Sequence, residues 1–312
     1  MGHVPVLSDE VGDLLAPALA GGGVVVDATV GYGGHAGVLL ERAPRAELVG
    51  IDRDPEALEA SGANLASHQG RVRLVRGDFQ DLEAILERLG TTEVRGVLFD
   101  LGVSSPQLDA ARRGFGYRAA GPLDMRMDPS GRLSAHEVVN AYPAERLARV
   151  IKRFGEERFA PRVARAIVAA RPIETTDRLA EVVRDAIPAA TRRTGGHPAR
   201  RTFQAIRIEV NDELEALRRA LPVALEKLSA GGRIAVISYH SLEDRIVKRR
   251  FAAEARDCVC PPDFPVCRCD ARARVRVLTR RPLRPSSAEV ENNPRAAAAR
   301  LRAAEKLETP AA

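Results

Sequence analysis

Residues 24–37 read VVVDATVGYGGHAG, and this stretch constrains the fold more than any other in the chain. Three valines between Gly23 and a cluster of glycines predict a strand buried on both faces. The chain then turns through Gly31, Gly33 and Gly34 into a helical run ending at Arg42. Strand, glycine turn and helix make the first half of a nucleotide-binding βαβ unit. Glu47 to Ile51 predicts the second strand, with Asp52 at its carboxyl end. That acid stands about 20 residues past the first glycine, where Rossmann-like folds place the ribose ligand.

Spacing alone does not choose the cofactor, since Gly31-x-Gly33-x-x-Ala36 also fits a loose dinucleotide fingerprint. Asp27 weighs against that ligand, because a carboxylate just before the turn repels a pyrophosphate. S-adenosylmethionine has no phosphate and carries a sulfonium and an ammonium, which an acid there suits. A second reading of Asp27 stays open, in which it only caps the turn by accepting backbone N–H groups.

Further along, Ser8 predicts the start of a helix through Leu15, preceded by an extended arm, His3 to Leu7, that is either a lid or an edge strand. Asp54-Pro55-Glu56 opens another helix with proline at its favoured first position. Val72 to Arg76 predicts a third strand, and Phe79 follows it, against an adenine or in the core. Val94 to Asp100 predicts the fourth strand, leading into Ser104, Ser105 and Gln107. A carboxylate, two hydroxyls and an amide leaving a buried strand lie where open α/β sheets hold their chemistry.

The next convincing strand, Arg233 to Ser238, comes about 130 residues later. One crossover helix leaves most of that gap unused, so an inserted domain is expected. The predicted division is a core at 1–108, a helical insertion at 109–209 and the rest of the core at 210–312. Leu147, Val150, Ile151 and Phe154 form one helical stripe, and Leu179, Val182, Val183, Ala186 and Ile187 another. One long helix is expected to carry Phe203, Ile206, Val210, Leu214, Leu217 and Leu221. After the last strand come Tyr239 and His240, and Ser241 with Asp244 has the form of a capping box. Val275 to Thr279 is a further strand candidate, while Arg300 to Arg302 carries conflicting helix and strand signals.

Lysine and arginine total 48 against 42 acids, a formal charge of +6. The distribution matters more: five arginines lie from Arg192 to Arg207 and six from Arg272 to Arg284. Such clusters are the electrostatic footprint of nucleic-acid binding. Arg192, Arg193, Arg200 and Arg201 are therefore candidate phosphate contacts, with Arg207 and Asn211 on an adjoining helix face. No apolar run reaches the roughly 20 residues of a membrane span, and no signal-peptide core opens the chain, so a soluble cytoplasmic protein is expected. All four cysteines, Cys258, Cys260, Cys267 and Cys269, share one short stretch. They offer a tetrahedral structural zinc site, but one-residue spacing departs from the common pattern, and uncoordinated thiols stand beside that reading.

Several blocks together resemble one family, the bacterial 16S ribosomal RNA cytosine-N4 methyltransferases. They are His3 to Leu7, Asp27 to His35, Ile51 to Pro55, Asp100 to Asp109, Gly121 to Asp128, Gly155 to Phe159, His197 to Asn211, Ser238 to Lys248 and Asn293 to Arg295. The resemblance implies an α/β, Rossmann-like methyltransferase core with an inserted helical domain, and S-adenosylmethionine as cofactor. It carries cofactor binding to Gly33, Gly34, His35, Asp52, Phe79, Asp100 and Gln107, and implies a cytosine of the small-subunit decoding centre as substrate. Asp100, Ser104 and Ser105 are candidate acceptors for the amine, with Tyr239 and His240 positioned to stack on or bond the base. Three alternatives are a methyltransferase for another nucleic acid, a nicotinamide-dependent oxidoreductase and a non-enzymatic RNA-binding module.

Overall fold

Apolar side chains alternate along the strands and build a sheet with two buried faces. The computed structural model describes residues 5–192, 196–258, 260, 266, 268–269 and 271–308, with 191 and 192 described in backbone only. Strands β1 (Gly23–Asp27), β2 (Ala46–Asp52), β3 (Val72–Arg76), β4 (Val94–Asp100) and β5 (Leu228–Ser238) are parallel. Strands β6 (Val275–Val277) and β7 (Arg300–Lys306) complete it, β7 antiparallel to both β5 and β6. The order is β3-β2-β1-β4-β5-β7-β6. Val26, Val49, Val97, Phe99 and Val236 face one core; Val25, Leu48, Leu98, Ala235 and Ile237 face the other. That period of two is the pleat itself.

Two compact units divide the chain: Met1–Gly102 with Glu215–Ala312, and Val103–Leu214. The expected limits, 108/109 and 209/210, stand six residues late on leaving the sheet and five early on returning. In the first unit, α1 (Ser8–Leu19) extends four residues past the expected Leu15 because Leu15 and Leu19 are both buried. Of the expected arm, the described residues Pro5 to Leu7 form no strand: Val6 and Leu7 are buried, and the Leu7 N–H donates to Glu289 Oε1 at 2.8 Å. His3 lies outside the described residues. Helices α2 (Gly34–Arg42), α3 (Pro55–Asn64, capped by Asp54) and α4 (Leu82–Arg88) follow the strands as crossovers.

The second unit is helical. It holds α5 (Ser105–Asp109), α6 (Ala135–Ala141), α7 (Ala144–Gly155), α8 (Ala160–Ala169), α9 (Thr176–Ala186), α10 (Ala189–Arg192) and α11 (Arg200–Asn211). Both predicted stripes enter its core, Leu147, Val150 and Ile151 from α7 and Leu179, Val182 and Val183 from α9. The block 121–128 is framework. A Cβ on Gly121 would lie 2.0 Å from the Ala111 carbonyl oxygen, so only glycine permits that approach.

The expected single long helix is two. Asp212 adopts φ 50°, ψ 32°, and separates α11 from α12 (Glu213–Lys227). The apolar stripe is accordingly shared: Phe203 and Ile206 belong to the helical core, Leu217 and Leu221 to the sheet core. Helix α13 (Ser241–Glu254) follows β5, and its cap is His240 with Glu243, one residue earlier than the expected Ser241 with Asp244. Asp244 instead accepts from Arg302 Nε at 2.7 Å. Near the chain end, α14 (Ser287–Asn292) precedes a short 3₁₀ turn at Pro294–Ala298, and the ambiguous segment then becomes β7. Among the described residues, no helix is long and apolar enough to cross a membrane.

Candidate active site

The strand order reverses between β1 and β4, which opens a crevice at their carboxyl ends. Three acids end strands there: Asp27 on β1, Asp52 on β2 and Asp100 on β4. Between β1 and α2 the turn needs its glycines, since Gly33 has φ 79° and a Cβ there would press on Leu65 at 3.1 Å. The Gly31 N–H donates to Asp52 Oδ2 and the Asp54 N–H to Asp52 Oδ1, each at 2.9 Å, so the turn and the acid fix one another. Burial raises the Asp52 carboxyl, and these two N–H groups offset part of the rise. Asp27 is fully buried and accepts the Thr29 N–H at 3.2 Å. Desolvation pushes its carboxyl up to about 7, against the lowering effect of His35.

Asp100 is held from three sides. Its N–H donates to Thr29 Oγ1 at 2.6 Å, Tyr239 Oη donates to its Oδ1 at 2.9 Å, and His35 Nδ1 lies 3.5 Å from its Oδ2. His35 Nε2 is 2.8 Å from the Val6 carbonyl, which can only accept, so Nε2 carries a proton. The lone pair or proton of Nδ1 thus faces Asp100. Burial, then the Asp100 charge, raises the Tyr239 hydroxyl well above its ordinary value, so it stays a donor. Thr29 and Glu243 escaped the sequence reading. Buried Glu243 accepts the N–H groups of Tyr239 at 2.8 Å and His240 at 3.2 Å and so sets the exit of β5. Its position three residues past the cap was the available signal.

Other predicted residues occupy more structural places. Phe79 is buried and meets Phe99 edge to face, with ring centres 5.6 Å apart, inside the sheet core. His240 caps α13, its Nδ1 accepting the Glu243 N–H at 3.4 Å. Ser104, Ser105 and Gln107 belong to the helical unit. Ser104 and Gln107 form a reciprocal capping box at α5, with distances of 3.3 and 3.0 Å.

The proposed RNA set divides. Arg200 and Arg201 are exposed at the start of α11. Arg193 lies outside the described residues, and Arg192 is described in backbone only. Arg207 and Asn211 face inward, contrary to expectation. Arg207 makes a two-pronged pair with Glu213 at 2.8 and 2.9 Å. Asn211 is buried, donating to the Met125 and Arg207 carbonyls and accepting the Met127 N–H. A helix face that reads as polar is here spent on shaping the chain. Cys258, Cys260 and Cys269 gather in one place, and Cys267 lies outside the described residues.

Acids at three strand ends, one of them destabilised by burial until it titrates near neutrality, make a crevice suited to a cationic ligand and unsuited to a pyrophosphate. The residues therefore fit S-adenosylmethionine. Sheet order, glycine turn and strand-end acids define the Rossmann-like fold of S-adenosylmethionine-dependent methyltransferases. The MraW methylase family matches residues 1–307, and the chain belongs to that family. A relative from Heliobacterium modesticaldum, named ribosomal RNA small subunit methyltransferase H, is 53% identical and covers 98% of both chains. One of the same name from Frankia alni is 55% identical over 97% of this chain and 95% of its own. A solved rRNA methylase from Streptococcus thermophilus shares 13% identity at a TM-score of 0.42, covering 96% of this chain and 94% of its own.

Proposed function

We propose that this protein transfers a methyl group from S-adenosylmethionine to the N4 amine of a cytosine in the decoding centre of 16S rRNA. The reading is carried by Asp100, an acid at the switch point that Tyr239 and His35 hold in place. Full-length relatives named for small-subunit rRNA support the substrate class.

When bound, the cofactor supplies an electrophilic methyl on a sulfonium. Asp52 takes the ribose hydroxyls through lone pairs its two backbone partners leave over, and Gly33 and Gly34 let the main chain approach. Asp27 answers the positive charge. The amine's lone pair is delocalised into the ring, so acceptors for its N–H groups raise its nucleophilicity. Asp100 is the acceptor the site holds ready, and Tyr239 Oη orients it through Oδ1. The proton the amine sheds passes to Asp100 Oδ2, beside His35 Nδ1.

Direct transfer also agrees with the cysteines. A nucleophile that adds to the ring is needed for methylation at carbon, and all four thiols here fall between 258 and 269. Incubating the protein with small-subunit RNA and isotopically labelled cofactor, followed by nucleoside mass spectrometry, tests the reading. Labelled N4-methylcytidine is expected; label on carbon 5, or none in RNA, overturns it. RNA carrying 5-fluorocytosine is expected to give no covalent adduct.

A further inference from the structure

A long connection joins the end of α13 at Glu254 to the start of β6 at Val275. Its stem is closed by the Arg274 N–H donating to the Glu254 carbonyl at 2.7 Å and the Ala273 N–H to Asp257 Oδ1 at 3.0 Å. The sequence between those pairs includes Pro261, Pro262 and Pro265 and all four cysteines, and Val266 is 68% exposed.

We propose that Cys258, Cys260 and Cys269 bind a zinc ion that pins this connection, a site separate from the methyl-transfer chemistry. Their sulfurs all lie within 4.8 Å of one another. Cys258 and Cys269 are 3.7 Å apart, sulfur to sulfur. Zinc–sulfur bonds of about 2.3 Å at a tetrahedral angle place neighbouring sulfurs about 3.8 Å apart, so this edge already has the length the metal requires. A disulfide between the two would need about 2.05 Å, far shorter than that edge.

Main-chain donors supply a second, independent observation. The Cys260 N–H points to Cys258 Sγ and the Arg268 N–H to Cys260 Sγ, both at 3.4 Å. Main-chain donors aimed at sulfur fix the direction of the side chains that would hold the metal. Binding replaces three thiol protons by one divalent ion, leaving a fourth corner for a further donor. The consequence is local: the metal closes a loop beyond α13 and takes no part at the strand ends.

The test uses the full chain, purified without chelator or metal-affinity tag. Elemental analysis should give one zinc per chain, or one equivalent taken up when chelator-treated protein is titrated with zinc. Cobalt in its place should produce intense sulfur-to-metal charge-transfer absorption with tetrahedral ligand-field bands. Thiol titration should fall by at least three groups on metal addition and recover with chelator. Cys258→Ser and Cys269→Ser should each lose the bound equivalent while still binding S-adenosylmethionine. Failure to take up stoichiometric metal, thiols that all react at one rate with and without zinc, or octahedral cobalt spectra would overturn the proposal. The wild-type measurements decide it even if a variant does not fold.

Discussion

Asp27 is the residue whose chemistry and placement pull hardest against each other. Burial raises its carboxyl to about 7, from 3.8 when exposed. In the ligand-free protein this raised value contributes stability that is present below about 4 and lost as pH rises through 7. A cationic ligand reverses the preference by favouring the ionised form. Cofactor affinity should therefore weaken as pH falls below 7, approaching tenfold per pH unit, and Asp27→Asn should remove that dependence. The same variant should make the ligand-free protein more stable above pH 7 by about 1–3 kcal/mol, a gain that fades toward pH 4. Calorimetric titration and thermal unfolding across this range check both arms; a wild-type affinity flat from pH 6 to 8 rules out contact between Asp27 and the ligand's charge. Asp52 makes a simpler prediction. Replacement by Ala should cost about 1–3 kcal/mol of cofactor affinity, because a charged acceptor for two hydroxyls is removed. Unchanged affinity in a folded variant would remove Asp52 from the ribose site.

At the scale of elements, the most local signals were the most legible. The valine run, the glycine turn and the strand ending at Asp100 are all found where the sequence places them, because each is set by residues within a few positions. What could not be read depends on partners far along the chain. The break at Asp212 accompanies Asn211, whose bonds reach Met125 and Met127, 86 and 84 residues away. The α13 cap falls on His240 because buried Glu243 holds two main-chain N–H groups while Asp244 is taken by Arg302. The ambiguous alanine-rich end becomes β7 because β5 offers it an antiparallel edge. Of the site, the three acids were legible and the support from Thr29 and Val6 was not, since a hydroxyl and a carbonyl leave no pattern. Asn211→Ala tests the structural role that replaces the expected RNA contact. It should destabilise the protein by about 1–3 kcal/mol, because the buried Met127 N–H is left without this acceptor. Denaturation at the wild-type midpoint would return Asn211 to the substrate-facing residues.

For the whole molecule, the excess of 48 basic over 42 acidic residues matters less than which basic groups are open to a polyanion. Arg207 is not an attractive candidate, since its guanidinium is closed on Glu213 by two short bonds with both side chains largely buried. Arg200 and Arg201 are exposed at the head of α11, in the same stretch of sequence. These two environments give opposite expectations in one experiment. Each phosphate that is no longer neutralised reduces the slope of log affinity against log salt by about 0.7 for single-stranded and 0.9 for duplex nucleic acid. Replacing Arg200 and Arg201 together with Ala should therefore flatten the slope for small-subunit RNA by about 1.4–1.8, with cofactor affinity unchanged. Arg207→Ala should leave the slope alone and lower stability instead, because Glu213 then stays behind as a largely buried charge without its ion-pair partner. Binding isotherms at several salt concentrations, with denaturation curves for the same variants, separate the two. A slope that drops with Arg207→Ala and holds when Arg200 and Arg201 are replaced would mean that the internal pair opens to receive RNA and that the exposed arginines are ordinary solvated surface.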